Sequence, residues 1–547
     1  MHSRVIQLLA ASAFLAAALQ AQPVISQNGV YNSASYRQAG LPGSGIAQGS
    51  IFSIFGTGLG GGAWTAAESF PLPTKLNGTS ATITMGSTQT SAIILGADAF
   101  QINAILPSPT PTGTGTITVT YQGQTSAPQP VQVVSSAFGI FAYNEGGAGQ
   151  AIATDVNYEL NTIIHPFHTG DYVTLWGTGL GPIKGSDAEP PPAGSLPTPV
   201  TVHVGNTTAS VSYSGRAPCC AGLDQIVFQL PAGLEGCYVP IGIETGGVTG
   251  NIETIAIASS GQATCSDSIL GQDLVSKVAS GESVDFGYIR LESAITTLYA
   301  DFAAPFQGDY AMATFSQIDP AQAGLAEYGV SSGYCYATSN FGSLDGSLSD
   351  FSPAQLNAGN LTFQSAQPMQ LNESSPGSGY YYDYLSGYGR VLWSGESYMV
   401  SGSGAPAVGP FSVTDTTEVN GLKFTNIQQA NQVVPRSSDF VVEWTGGNSA
   451  LQNGQVTILG LSLTGITNPL VASVQCTAPL SAQQLTIPGW VLSSLPPSGI
   501  YAEGTLDIPL GFLFIGQYNT PTEFSAKGLD RGIITDILFY GGAVTFQ

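Results

Sequence analysis

The chain has 547 residues, 69 of them glycine and 34 proline, with 43% hydrophobic and only 9% charged residues. That apolar content excludes a disordered stalk, and so many turn formers leave little room for helix. The formal charge of −23, from 12 Lys+Arg against 35 Asp+Glu, repels phosphate backbones and anionic bilayers, so neither nucleic acid nor an acidic membrane is an expected partner.

Residues 1–21 read as a secretory signal peptide. Arg4 precedes an apolar run from Val5 to Leu19, and Leu19-Gln20-Ala21 offers a small-residue cleavage site after Ala21. No later stretch has the roughly 18 uninterrupted apolar residues of a membrane helix. The expected location is therefore secreted, extracellular or at the cell surface. The alternating, aromatic ending Ile534 to Gln547 reads as an edge strand rather than as part of a membrane barrel, which needs many such strands.

The front half says one thing twice. Gly49-Ser50-Ile51-Phe52-Ser53-Ile54-Phe55-Gly56-Thr57-Gly58-Leu59-Gly60 returns as Gly170-Asp171-Tyr172-Val173-Thr174-Leu175-Trp176-Gly177-Thr178-Gly179-Leu180-Gly181. Ala81 to Gly86 answers to Val200 to Gly205, and Gln101 to Pro107 to Gln225 to Pro231. A unit of roughly 110 to 120 residues built from period-2 strands is the size of an immunoglobulin-like sandwich. The expected fold class is all-β: tandem immunoglobulin-like β-sandwiches at 22–134 and 135–262, followed by a β-rich C-terminal region.

The first glycine corner also satisfies the GxGxxG pattern of a dinucleotide-binding turn. In the second copy Pro182 takes the place of the third glycine, and Pro190-Pro191-Pro192 follows, so no helix can receive a pyrophosphate there. The glycines are read as corners, with Leu59 and Leu180 plugging the sandwich ends. His165-Pro166-Phe167-His168 reads as a loop without a metal, and His203, between Val202 and Val204, should point outward from its strand. No cofactor, metal or catalytic residue is expected.

Six cysteines suit an oxidising compartment. Cys219, Cys220, Cys237 and Cys265 cluster at the end of the second module and allow three pairings. A bridge between adjacent Cys219 and Cys220 needs a strained ring, so each is expected to reach Cys237 or Cys265. Cys335 and Cys476 would close a long loop, binding the parts of the C-terminal region into one body.

Ser266 to Ser280 is the best helix, with Ile269, Leu270, Leu274 and Val278 on one face and Gly281 as its stop. The remainder divides into a β-rich domain at 263–425 and a sandwich-like domain at 426–547, with strands at Asp439–Thr445, Gln455–Leu459 and Leu510–Ile515. Gly329-Val330-Ser331-Ser332-Gly333 fits the hydrolase elbow, but that fold places its histidine after the serine, and every histidine here precedes Ser331. Asp301, Asp309, Glu327, Asp383, Glu396 and Glu443 could supply a glycosidase pair, yet spacing selects none. Tyr380, Tyr381, Tyr382, Tyr384 and Tyr388, set among Gly and Ser, have the composition of a recognition loop.

The segments Phe55-Gly56-Thr57-Gly58-Leu59-Gly60, Ala137-Phe138-Gly139-Ile140-Phe141 and Gln229-Leu230-Pro231 resemble IPT/TIG-type immunoglobulin-like modules. They are more specifically similar to a C-terminal domain family common in exported acidobacterial proteins, over about residues 28 to 260. The tail, with Val434-Pro435-Arg436-Ser437-Ser438-Asp439 before Trp444-Thr445-Gly446-Gly447, is similar to regions that accompany those modules. The resemblance implies a surface or secreted β-sandwich protein and supplies no catalytic residues. The expected function is a non-enzymatic exported scaffold for adhesion or recognition of a protein or carbohydrate ligand. The alternatives are a carbohydrate-binding protein and a polysaccharide-acting hydrolase with its acids in the tail.

Overall fold

The computed structural model describes residues 22–547 apart from 297–306, 326–328, 340–353, 365–368, 374–375, 377, 386–390, 419–420, 428–431, 452–453 and 504–505. The expected signal peptide and Tyr388, Asp301 and Glu327 lie outside the described residues. The protein is all-β, and the helices among the described residues are short.

The repeat in sequence is a repeat in pairing. Strand β1 (Ile51–Thr57) runs antiparallel to Gln101–Ile105, and its counterpart β2 (Tyr172–Thr178) runs antiparallel to Asp224–Gln229. Each module has its own core. Alternation along Thr79–Met85 sends Ala81, Ile83 and Met85 inward to meet Phe52 and Ile54 of β1. In the second module Val202 and Val204 of β3 (Val200–Val204) meet Val173 and Leu175 of β2. Thr207–Arg216 joins the two sheets of this module. Its first half pairs with β3, its second half with Asp224–Gln229, and a bulge lies between Val211 and Tyr213. Leu59 and Leu180 are fully buried at the two glycine corners. Gly179 sits at φ +116, where an added Cβ would lie 2.1 Å from the Ala137 carbonyl oxygen, so no other residue fits. The chain leaves both corners as loop rather than helix.

The expected helix is shorter than its apolar pattern. Helix α1 covers Gln272–Ala279 and buries Leu274, Val275 and Val278. Upstream, the Asp267 carboxylate accepts the amides of Ile269 and Leu270 at 2.7 and 2.8 Å. This tight turn, followed by Gly271 at φ +85, delays helix entry.

Beyond α1 the chain builds one eleven-stranded sheet. Its main strands are β4 (Val284–Thr296), β5 (Gln307–Ile318), β6 (Tyr380–Tyr384), β7 (Gln455–Leu463), β8 (Val471–Pro479), β9 (Gly511–Tyr518) and β10 (Arg531–Phe546). β4 lies parallel to β10 along most of its length, so the division expected near residue 425 cuts through a single sheet. One face of this sheet is apolar. Ile289, Leu291, Phe315 and Tyr381 pack there against Leu361, Phe363, Val400 and Val413 of a four-stranded sheet. Further along, Ile458, Val474 and Ile515 pack against Trp444, Val491 and Leu492.

All six cysteines are paired, as Cys219–Cys220, Cys237–Cys265 and Cys335–Cys476. The expected crossing of Cys219 and Cys220 to Cys237 and Cys265 is therefore corrected. Cys237 lies in the strand Gly236–Thr245 and Cys265 follows the last strand of the second sandwich, with Cα atoms 5.1 Å apart, whereas Cys219 and Cys220 share a turn elsewhere. Cys335 and Cys476 face each other across adjacent strands of the large sheet.

The three bodies are tightly joined. Arg37 of the first sandwich is buried and donates to Gly250 O of the second and Ser494 O of the C-terminal body, both at 2.7 Å. His203 does point out of its own sandwich, but into the neighbouring body. Its ring stacks on Trp490 at 5.0 Å and 7°, leaving the side chain 13% exposed.

Candidate functional site

The opposite face of the large sheet carries the aromatic candidates. Residues paired across neighbouring strands point to the same side, so the register fixes a row: Tyr518 beside Ile537, Ile537 beside Glu292, Glu292 beside Tyr310, and Tyr310 beside Tyr384. The next row places Arg290 beside Met312 and Met312 beside Tyr382, and the third places Tyr288 beside Thr314 and Thr314 beside Tyr380. Period-2 geometry thus puts Tyr380, Tyr382 and Tyr384 on one face of β6 and turns Tyr381 to the other.

Tyr381 is the correction within the expected recognition loop. It is 1% exposed, lies edge-on to Phe315 and donates its hydroxyl to Gly359 O at 2.8 Å. It belongs to the core, and the segment is a strand rather than a loop. Tyr382 and Tyr384 are each 42% exposed. Tyr310 bridges them, with ring centroids 6.0 Å from Tyr382 and 5.1 Å from Tyr384. Burial, with Tyr310 and Glu292 nearby, pushes the Tyr382 hydroxyl up to about 12, so the ring stays neutral at any physiological pH.

Arg290 and Glu292 alternate with core residues on β4 and anchor the platform. Arg290 Nε lies 2.9 Å from Glu292 Oε1, and its guanidinium also bonds the hydroxyls of Tyr288 and Tyr518. Burial alone would depress the arginine; the Glu292 carboxylate and the two tyrosine oxygens together hold it above its ordinary value.

At one end of the platform, where the second sandwich meets the sheet, a cleft of about 300 Å3 opens. Tyr288 and Tyr518 reach it from the platform, Gln455, Thr457, Gln475 and Thr477 from β7 and β8, and Glu235, Asp267 and Ser331 from the rim. Asp267 is buried, which raises its pKa despite the hydrogen bond from Tyr238. Its oxygens are committed to Tyr238 and to the two turn amides. Ser331 Oγ accepts the Tyr238 amide at 2.9 Å, and no histidine lines the cleft, so the elbow reading gains no catalytic partner there.

Among the described residues, the structure does not assemble the proposed acids. Asp309 is buried and accepts the amides of Val391 and Leu392. Asp383 accepts from Asn372 at 2.7 Å, while Glu396 and Glu443 are exposed on separate elements. His165 and His168 sit on the second sandwich, paired with Glu159 and Asp171, and no group of three metal-ligating side chains occurs among the described residues. Sequence reasoning missed Tyr288, Arg290, Glu292, Tyr310 and Tyr518. The alternation Tyr288-Ile289-Arg290-Leu291-Glu292 was the available signal, since it sets a polar face against a core face.

Fold and site together define a two-sandwich β-protein whose C-terminal sheet carries an aromatic platform beside a polar cleft. No family model and no curated protein matches the chain. Among solved structures, it aligns with the Bacteroides ovatus mixed-linkage glucan utilization locus SGBP-B in complex with a mixed-linkage heptasaccharide, at 10% identity over 86% of this chain and 96% of that one, with a TM-score of 0.16. Domains 5-6 of the S-layer protein SbsC align at 14% identity over 44% of this chain and 99% of that one, with a TM-score of 0.16. Sidekick-1 immunoglobulin domains 1-4 align at 8% identity over 94% of this chain and 100% of that one, with a TM-score of 0.13. Scores this low transfer neither ligand nor role. No helix among the described residues is long and apolar enough to cross a membrane.

Proposed function

We propose that this is an exported, non-enzymatic recognition protein in which two IPT/TIG-type sandwiches carry a C-terminal sheet body, and that the body binds a neutral glycan along its tyrosine platform. The observation that carries this reading is the half-exposed cluster of Tyr382, Tyr310 and Tyr384 on one sheet face. Such rings give an apolar surface to a sugar face at little entropic cost. The adjoining cleft supplies amide and hydroxyl side chains from Gln455, Gln475, Thr457 and Thr477 for the sugar hydroxyls. Complete cysteine pairing suits an oxidising location.

The test is binding of the mature chain to neutral polysaccharides on an array and in solution. Replacing both Tyr382 and Tyr384 by Ala should weaken binding at least about tenfold with unchanged folding. Absence of binding to every glycan, or full binding by the double variant, defeats the reading. Release of reducing ends would instead establish a hydrolase.

A further inference from the structure

A second cavity, remote from the tyrosine platform, lies between the two sandwiches and has a volume of about 650 Å3. We propose that it binds a small organic ammonium ion with apolar substituents. Its walls are aromatic: Trp64 and Tyr36 from the first sandwich, Phe141, Tyr143 and Trp176 from the second. Glu145 is the one lining residue with a charged side chain at neutral pH, and neither lysine nor arginine lines the cavity.

The polar tips of Trp176, Tyr143 and Tyr36 are already engaged. Trp176 Nε1 donates to Thr154 Oγ1 at 3.1 Å, Tyr143 donates to Ala321 O, and the Tyr36 hydroxyl is bonded to Ser53. Ser33 and Asn103, the other polar side chains lining the wall, are likewise tied to Ser53. The cavity therefore offers ring surfaces and a carboxylate but few vacant hydrogen-bonding groups. That suits neither a sugar, whose hydroxyls would lose water without replacement, nor an anion, which would meet only Glu145.

A cation with methyl or alkyl groups meets both features at once. The π faces attract its charge, the apolar walls accept its substituents, and Glu145 neutralises it. Glu145 lines the cavity at its exposed rim, close enough for its charge to be felt at the Tyr36 hydroxyl. The cavity falls in the size range of small-molecule sites. A choline-bearing phospholipid is excluded as the source because its phosphate would find no base in the lining.

The site is held ready. Trp64 is 47% exposed yet its indole packs against the strand Ile93–Ala97, where Gly96 makes room: a Cβ there would stand 2.4 Å from the indole Cζ2. Cys219, locked to Cys220, adds a stiff apolar edge. Two modules must stay docked for the wall to exist, which gives their interface a purpose beyond spacing.

The experiment titrates the full mature chain with choline and with benzyltrimethylammonium at constant ionic strength, followed by tryptophan fluorescence and calorimetry. The neutral control is 3,3-dimethylbutan-1-ol, which keeps the shape of choline without its charge. Saturable binding of the ammonium ions, about tenfold weaker binding of the alcohol, and about tenfold losses in Trp64→Ala and Glu145→Gln with unchanged melting support the proposal. Failure of both ammonium ions to saturate overturns it. So does equal binding of the alcohol, or unaltered binding by both variants. Glycan binding at the tyrosine platform is measured separately, so either reading can fail alone.

Discussion

The Arg216 guanidinium and the Asp224 carboxylate form an ion pair with side-chain exposures of 2% and 0%. Arg216 also donates to Gly49 O of the first module and Gly181 O of the second. Asp224 accepts the amides of Gly179 and Leu180 at 2.7 and 2.8 Å. The pair thus holds the second glycine corner and ties it to the residue that opens the first copy of the repeat.

Removing one partner strands the other in a dry site. Asp224→Ala is expected to cost about 3–5 kcal/mol, read from the urea unfolding midpoint and slope. Replacing Arg216 and Asp224 together by apolar residues should recover only part of the loss, because the Gly179 and Leu180 amides remain unpaired. A wild-type midpoint in Asp224→Ala would show that the corner needs no anchor.

The stack of His203 on Trp490 is expected to make the docking of the C-terminal body pH-dependent. Burial lowers the His203 pKa from 6.5, and Glu244 offsets this only in part. The folded protein therefore favours the neutral ring. Its contribution is complete above pH 6.5 and is lost as the pH falls through and below that value. The melting temperature of wild type should drop more between pH 7.5 and 5.5 than that of His203→Phe, with calorimetry as the measurement. Parallel curves for the two proteins would remove His203 as the cause.

These contacts mark where local pattern stops being informative. Alternation at Ala81–Met85 and Val200–Val204 showed the sandwiches, and the repeated Gly-Thr-Gly-Leu corners showed that there were two. The C-terminal body was misdivided because β4 and β10 are parallel neighbours far apart in sequence, and no periodicity encodes a partner. Tyr381 illustrates the same limit within a site. Its composition marks the whole tyrosine run as surface, while the strand period sends it inward and its neighbours outward. The outward direction of His203 was legible, but the indole waiting there was not. Likewise, no spacing rule reveals that Cys237 and Cys265 meet and leave Cys219 to its neighbour.

Asp536 has the opposite pH sign to His203. Burial and the neighbouring Asp415 push it up to about 8, while Asn519 donates to one of its oxygens. A carboxyl raised this far stabilises the fold in its neutral form, fully below its ordinary value of 3.8, and that stability is lost as the pH rises through about 8. Asp536→Asn keeps an accepting oxygen without the charge. It should raise the unfolding midpoint relative to wild type at pH 8.5 more than at pH 5. An equal effect at both values would mean that Asp536 is ionised throughout.

Two tyrosines on opposite faces of β6 should give opposite results when truncated. Tyr381 fills the space between the large sheet and the four-stranded sheet, so Tyr381→Ala is expected to cost about 3–5 kcal/mol through cavity formation. Tyr381→Phe keeps the ring and loses the bond to Gly359 O, for about 1 kcal/mol. Tyr384, 42% exposed and resting on Tyr310, loses about 1 kcal/mol or less on truncation to Ala. Thermal unfolding and glycan binding measured on the same preparations separate the roles. Tyr381→Ala should move the melt, and Tyr384→Ala should move the affinity. Were Tyr384→Ala to unfold the protein while leaving binding intact, the platform would be part of the core, and the proposed binding surface would have to lie elsewhere.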